Sequence, residues 1–545
     1  MLTLRSYFPM LCRRLPAFAY LATVTVFLWL ISGFYLPGQG FTAMLLIGEK
    51  NAEHALPQLL EQKPYIEKDS EGYDGQFYVQ IAMQPDLHDP ALNNAIDSLP
   101  YRARRIFLGW FAWLLGGGDA GRTMHVFSML NVVCWLGLAW LLLRWFPADS
   151  WGNFIRWFGV MFSIGLCFSV RGSLLDGPSL LVIAISLALW ESGWLWTAAL
   201  ALAVAGLIRE TNILAVVAFI PIERRSRAEF GRAAMLGALA VLPCVLWFLY
   251  LSSIFGFQSA GGSGNFAFPL SGFFLKWQTA LADLARGVPD ARTLLFLVSL
   301  TTQAVFFLLL RRGSNPWWRL GVAFLVLMVV LGDAVWEGNP GAASRTLLPM
   351  GLAFNVLVPR GRRWLPILLL GNATVLCTFQ SFQYPGGESF AVTGPAALHQ
   401  GAGAHRDWTV RFSKDWFPPK RSVWEYWRWG RERAEITISN PLAQPVLANV
   451  HFDLRSREAR TVTIRCDGEI LWNGTATQKL QAVQLDRISL RSGAVQWEFS
   501  CDQPATTSSV NNRRADAFCL RNLKIELLRV EPTGTLLSNQ KIPAP

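Results

Sequence analysis

The sequence is poor in charge. Only 16% of its 545 residues are Asp, Glu, Lys or Arg, where a soluble globular chain carries about 25%, so much of the surface cannot face water. It is also poor in histidine. The six present (His54, His88, His125, His399, His405 and His451) form no His-x-x-x-His pair, which argues against a zinc site. No Gly-x-Gly-x-x-Gly follows a strand, no Walker loop is present, and no Asp-x-Asp triplet is available to hold a metal on a nucleotide diphosphate. Eight cysteines are too few for a disulfide-dense scaffold, and 52% hydrophobic residues exclude a disordered or collagen-like chain.

The charge that exists is unevenly placed. Residues 405–545 hold 21 Lys or Arg and 15 Asp or Glu, and the first 404 residues hold only 50 charged residues. A membrane body followed by a more polar tail is expected. In the body, the basic residues cluster at the ends of apolar runs: Arg13 and Arg14, Arg144, the group Arg224, Arg225, Arg227 and Arg232, then Arg311 with Arg312, and Arg360 with Arg362 and Arg363. Short basic connectors mark the cytoplasmic side of a membrane and carry orientation more than nucleic-acid recognition. The runs Ala17–Leu36, Met124–Phe146, Trp151–Val170, Leu174–Trp190, Arg232–Ile254, Thr293–Leu310, Leu320–Val335, Thr346–Val358 and Trp364–Phe379 read as spans. Trp194–Ile222, interrupted by Arg209 and Glu210, reads as two short helices with those charges at the outer turn. This predicts a polytopic α-helical membrane domain of about 11 transmembrane helices, its amino end inside and its tail outside. The first run is read as an uncleaved helix because no small-residue cleavage pattern follows it.

Within the expected outer loop at 38–122, the short apolar stretch Ile106–Leu115 predicts a helix lying in the interface. A second outer loop, 256–292, contains Gly261-Gly262-Ser263-Gly264 without the Lys-Ser/Thr of a phosphate loop, and reads as a plain loop. The tail alternates apolar and polar residues at 435–439, 450–454, 461–465, 495–499 and 523–527, with turn signals at Asp467-Gly468 and Asn473-Gly474. That pattern predicts an all-β sandwich. The expected division is therefore a transmembrane domain at 1–385, a linker at 386–404 and a sandwich at 405–545. Cys466, Cys501 and Cys519 leave room for one disulfide in an oxidising compartment, with the pairing open.

The first outer loop carries the densest chemistry. Between Gly38 and Arg104 lie ten carboxylates against five Lys or Arg, and the sharpest patch is Glu71-Gly-Tyr-Asp-Gly-Gln-Phe-Tyr78. Glycines on both sides of Tyr73-Asp74 permit tight turns, and the aromatic side chains can hold Asp74 at the membrane face. An aspartate there can take a proton from a hydroxyl; a solvated turn explains the same residues without chemistry. Asp176, Arg209, Glu210 and Arg345 all fall at the expected outer face. The structural alternatives are that Asp176 caps a helix and pairs with Arg171, and that Arg209 and Glu210 pair with each other. Arg102 and Arg105 could meet a phosphate or anchor the interfacial helix. A divalent cation, Mg or Mn, on Asp74, Glu71 or Asp176 suits the carboxylate set.

Glu71–Tyr78, together with Ile96-Asp-Ser-Leu-Pro-Tyr-Arg-Ala-Arg-Arg-Ile106, resembles the first outer loop of bacterial multi-spanning glycosyltransferases of the GT-C fold, especially those that form cell-surface glycopolymers. The likeness recurs at Leu175-Asp-Gly-Pro178, Arg209-Glu-Thr211 and Arg345-Thr-Leu-Leu-Pro349, and in the tail at Asp415-Trp-Phe-Pro-Pro419 and Trp427-Arg-Trp429. Where relatives tend to have Asp-Pro, this chain has Gln84-Pro85, so no carboxylate role is assigned there. The resemblance implies a transferase of the bacterial inner membrane whose sandwich is periplasmic. Its donor would be a polyprenyl-phosphate sugar and its acceptor a glycan or lipid, with inversion and Asp74 as catalytic base. Glu71, Tyr73, Gln76, Tyr101, Arg102, Asp176, Arg209, Glu210 and Arg345 would form the substrate site, and Trp408, Trp416, Trp424, Trp427 and Trp429 could stack on sugar rings. Two other readings are a non-catalytic scaffold with a carbohydrate-binding sandwich and a glycolipid transporter or flippase.

Overall fold

The computed structural model describes residues 3–528 except 68–69, 221–225, 257–262, 286–288, 311, 339, 386–389, 395–407, 418, 422–425 and 510–511. The chain separates into two compact units, Met1–Phe382 and Gln383–Pro545.

The first unit is helical. Among the described residues, five helices are long and apolar enough to cross a membrane: Leu15–Ser32, Ala120–Arg144, Arg227–Phe255, Ala291–Leu309 and Arg362–Ser381. A sixth span forms if Trp151–Met161 and Ile164–Arg171, bent by 48° at their junction, are taken together. The other expected spans are shorter than the roughly 20 residues a straight crossing takes. Leu195–Ile208, Pro316–Val330 and Leu348–Leu357 have 14, 15 and 10 residues. The physical cause is local: Arg209, Leu331 and Val358 leave helical geometry, and Pro349 starts a new helix rather than continuing the old one. Polar caps open many of the helices. Asp119 accepts the backbone N–H of Arg122, Ser150 that of Asn153, Asp290 that of Thr293 and Asn315 that of Trp317.

Between the first two long helices the chain builds a small folded layer. Strands Ile47–Gly48 and Ile66–Glu67 pair in parallel. Helix Pro57–Glu61 lies between them in the chain, and helices Gly75–Met83, Leu99–Arg102 and Phe107–Gly116 come after. Its core contains Leu45, Leu56, Leu59, Val79, Ile81, Leu92, Leu99 and Ile106, packed with Met124 and Phe127 of the next spanning helix. A helix, Phe107–Gly116, forms where one was expected at 106–115. Leu108, Gly109 and Ala112 are buried, and Trp110, Phe111, Trp113, Leu114 and Leu115 are exposed. In the later loop, Gly261 and Gly262 lie outside the described residues, and Ser263–Asn265 form one short turn of helix.

The second unit is two sheets around one core. One sheet runs in the order Glu469–Ala476, Arg460–Cys466, Gly493–Cys501, Arg433–Asn440, Thr409–Phe412. The other runs Gln481–Leu490, Val446–Ser456, Phe518–Leu527, Tyr426–Gly430, Lys420–Arg421. The period-two pattern has a direct cause: along Val446–Ser456, every second side chain from Val446 to Leu454 enters the core. All five strands read from the alternation lie within observed strands. One strand differs from expectation. Phe390–Thr393, inside the expected linker, pairs in parallel with Phe518–Leu527 because Phe390 and Val392 have a core to enter. Among the described residues, no disulfide joins Cys466, Cys501 and Cys519 to one another.

Trp416 is not placed for sugar stacking. It is buried against Phe412, Phe499 and Phe518 at 5.6, 5.4 and 5.4 Å between ring centroids, and its indole N–H donates to the Glu435 carbonyl. Trp408 packs against the same core, Trp427 and Trp429 are half-buried, and Trp424 lies outside the described residues. Trp416→Ala is expected to destabilise the sandwich by about 3–5 kcal/mol, the usual cost of emptying a buried aromatic site. Chemical denaturation of the full chain, followed by tryptophan fluorescence, checks this; an unchanged transition contradicts the packing described.

Candidate active site

Asp74 immediately precedes the helix Gly75–Met83, every residue of which is buried. Close backbone contacts fix the approach to it. Gly72 has φ of +71°, and a side chain there would meet the carbonyl of Leu46. Gly75 lies against the carbonyl of Gly172, where a Cβ would not fit. The Tyr73 N–H donates to the Leu46 carbonyl at 2.9 Å. The chain therefore holds the Tyr73-Asp74 pair between the loop layer and the turn before Asp176.

Around this pair four arginines and four carboxylates are interleaved. Arg102 donates from Nε and Nη2 to the Asp97 carboxylate at 2.5 and 2.7 Å, and Nη2 also reaches Asp74 Oδ1 at 3.1 Å. Its guanidinium lies 4.4 Å above the Phe77 ring. Arg105 grips Glu210 through Nε and Nη2 at 2.9 and 2.8 Å, and donates to the hydroxyls of Tyr78 and Tyr101 at 2.8 and 2.9 Å. Arg345 donates to Asp176 at 3.2 Å and to the Tyr73 hydroxyl at 2.8 Å. Arg209 pairs with Asp176 through Nη1 and donates from Nη2 to the Thr346 hydroxyl at 2.7 Å. Tyr73 thus links Asp74 by sequence to the Arg345–Asp176–Arg209 group by hydrogen bond.

The pairing has an electrostatic reason. Asp176 and Arg345 are only 3% and 7% exposed in their side chains, and a charge taken from water is costly unless paired. The two structural alternatives are not what forms. Asp176 pairs with Arg209 and Arg345 rather than Arg171, which donates to the Ala43 carbonyl. Arg209 and Glu210 pair away from each other, toward Asp176 and Arg105. The extended backbone of Arg209 ends one helix before Glu210 starts the next turn, which separates the two side chains.

Not every expected residue joins the cluster. The Gln76 amide is taken by backbone: its Oε1 accepts from Gly48 and its Nε2 donates to the Glu71 carbonyl. Glu71 is exposed and pairs with Lys50 at 3.6 Å. Among the described residues, no group of three or more His, Cys, Asp and Glu comes together to hold a metal. Asp74, Glu71 and Asp176 each face a cation of the chain itself, so the expected Mg or Mn set is not assembled. Sequence reasoning missed Asp97, Tyr78 and Thr346. Asp97 and Tyr78 lie inside the motifs of the first loop, whereas Thr346 showed only as the neighbour of Arg345.

The Asp74 side chain keeps 31% of its surface accessible, and its Oδ2 makes no hydrogen bond among the described residues. Burial by itself would raise its pKa, but Arg102 and Arg345 outweigh burial and hold the carboxyl below its ordinary value of 3.8. Asp74 is therefore an ionised acceptor with one free oxygen. These features define a helical membrane protein with an acid–guanidinium site at a folded loop. No protein-family model and no curated protein matches the chain. Among solved structures it is similar to ArnT from Cupriavidus metallidurans, 16% identical over 55% of this chain and 57% of that one, with a TM-score of 0.34. It is also similar to the arabinosyltransferase EmbB from Mycobacterium smegmatis, 12% identical over 82% of this chain and 62% of that one, with a TM-score of 0.33. The chain spans less than two thirds of either neighbour, and neither likeness assigns a residue or a reaction to it.

Two outcomes follow from the geometry. Asp176→Asn leaves Arg209 and Arg345 with no carboxylate between them, and a loss of about 3–5 kcal/mol is expected for breaking a buried pair. A lowered thermal midpoint of the detergent-solubilised protein reports it. Arg102→Gln removes the largest opposite charge facing Asp74, so the Asp74 pKa rises. Because the ionised form is the base, any activity that depends on it is then lost at a higher pH on acidification than in the wild type. An acid limb that stays in place in this variant contradicts the coupling.

Proposed function

We propose that this chain is a membrane glycosyltransferase of the GT-C fold. In this reading it moves a sugar from a polyprenyl-phosphate donor to a glycan or lipid acceptor at the periplasmic face of the bacterial inner membrane. One observation carries the proposal: a carboxylate fixed by backbone at the start of a buried helix, kept ionised by Arg102, with one oxygen free and accessible. The resemblance of the Glu71–Tyr78 motif supports the same reading, and the absence of nucleotide-holding motifs favours a lipid-linked donor.

In the proposed reaction the Asp74 Oδ2 accepts the proton of an acceptor hydroxyl. A lone pair of that hydroxyl oxygen attacks the anomeric carbon from the face opposite the phosphate, before its proton has passed to Asp74. The carbon–oxygen bond to phosphate breaks, the electron pair leaves with phosphate, and the configuration inverts. A base of depressed pKa is weak, so proton transfer comes late, after the new bond has made the hydroxyl acidic. Arg345, Arg209 and Arg102 are each bound to a carboxylate and act on the departing phosphate through their field. Tyr73, held by Arg345, lies beside the reacting carboxylate and has its own O–H to donate. In this reading the folded loop layer and the short broken helices around Asp176, Arg209 and Arg345 would receive the substrates. The sandwich is proposed to hold the acceptor or a partner.

Asp74→Asn keeps the shape and removes the base. Sugar transfer from a polyprenyl-phosphate donor is expected to fall by about 10²–10⁴-fold, the usual contribution of a positioned base, while donor binding is retained. Transfer at the wild-type rate contradicts the assignment, and movement of a glycolipid across the membrane without bond formation favours a transporter.

A further inference from the structure

Among the described residues, charge pairing near Asp74 leaves Arg104 without a carboxylate. Arg102 is matched by Asp97 and Asp74, Arg105 by Glu210, and Arg209 and Arg345 by Asp176. Four guanidinium groups thus face four carboxylates, and each of these arginines already has a carboxylate partner. Arg104, in the turn between the helices Leu99–Arg102 and Phe107–Gly116, has no carboxylate partner among the described residues. Its guanidinium lies over two rings instead, 5.7 Å from the centroid of Tyr101 and 5.6 Å from that of Phe248. A guanidinium held beside aromatic rings, with no carboxylate on it among the described residues, keeps its N–H fork for an oxyanion.

Two further features surround this group. The Tyr101 hydroxyl accepts from Arg105 Nη2 at 2.9 Å and from Asn265 Nδ2 at 3.2 Å. Both of its lone pairs are then in use, and the phenol proton is left to donate. The other side is apolar. The Trp247 indole N–H donates to the Ala103 carbonyl at 2.8 Å and its ring meets Trp110 at 4.9 Å and Tyr250 at 5.0 Å. Arg104 therefore stands where the aromatic junction of two apolar helices meets the site. From that junction the exposed side chains Phe111 and Leu114 continue along one helix and Leu246 along the other.

We propose that Arg104, with the Tyr101 hydroxyl, binds the phosphate of a long-chain lipid-phosphate sugar whose hydrocarbon lies along the wall of the helices Phe107–Gly116 and Arg227–Phe255. The ligand class follows from three constraints: a single uncompensated positive charge, a fork geometry suited to phosphate, and an adjoining surface that only hydrocarbon would cover. The inference rests on the transferase reading and adds the residue that receives the donor. Because the four arginines of the cluster are already matched, the donor needs no carboxylate to be displaced.

The test is binding, independent of turnover. Full-length protein in phosphatidylcholine nanodiscs is titrated with labelled long-chain polyprenyl phosphate, and inorganic phosphate serves as the probe without a tail. Wild type is expected to bind the lipid and not the free ion. Arg104→Gln is expected to weaken binding by about 10–100-fold, the loss of one charged hydrogen-bonding group. Arg104→Lys, which keeps the charge but not the fork, falls between the two. Equal binding by wild type and Arg104→Gln, with both thermally stable, overturns the assignment and leaves the transferase reading standing. No binding of the lipid by wild type overturns both. Displacement of the polyprenyl phosphate by an equal mole fraction of phosphatidylglycerol shows a site for any anionic headgroup and overturns its assignment to the donor.

Discussion

A buried charge must meet its opposite, and the Arg102 guanidinium meets two. Asp97 takes its Nε and Nη2 edge, and the same Nη2 turns toward Asp74. That shared contact keeps Asp74 ionised without closing it, because only one carboxylate oxygen is engaged. The same rule orders the rest of the site. Asp176 sits between Arg209 and Arg345, and Glu210 closes on Arg105, so segments as distant as residues 74, 105, 176, 210 and 345 are tied by pairs that none of them could leave without stranding a charge.

This constraint also explains the irregular helices of the first unit. A continuous helix through Arg209 would carry its guanidinium past Asp176, and the extended backbone at that residue delivers it instead. The break between Met161 and Ile164 lets Gly165 pack directly on the carbonyl of Ser344, within the short helix Ala343–Thr346 that carries Arg345. Non-helical backbone at membrane depth is tolerated where protein or a wet cavity covers it. Here the breaks place charges at the site.

Much of this was legible in order of physical strength. Long apolar runs bounded by arginines matched the five helices long enough to span, and strict alternation matched strands of the sandwich, since both periodicities follow directly from burial of one face. The Glu71–Tyr78 patch pointed to Asp74 because glycines on both sides of an acidic residue require a turn. The partners of Arg105 and Asp176 were not legible. Arg105 and Glu210 are 105 residues apart, and no local spacing encodes a contact set by how helices pack. The strand Phe390–Thr393 was hidden for another reason: four residues beside a polar stretch look like a linker until a neighbouring strand offers them an edge. The backbone bonds of the Gln76 amide to Gly48 and Glu71 were not legible either, because an amide in a motif looks the same whether it meets substrate or its own backbone.

The proposed reaction is a single displacement at carbon assisted by Asp74, the other carboxylates of the cluster, Asp97, Asp176 and Glu210, being paired with arginines. The configuration of the newly formed glycosidic bond tests it most directly. With a polyprenyl-phosphate sugar of known anomeric form, NMR of the isolated product is predicted to show the opposite anomer. Retention of the donor's configuration would contradict direct attack assisted by Asp74.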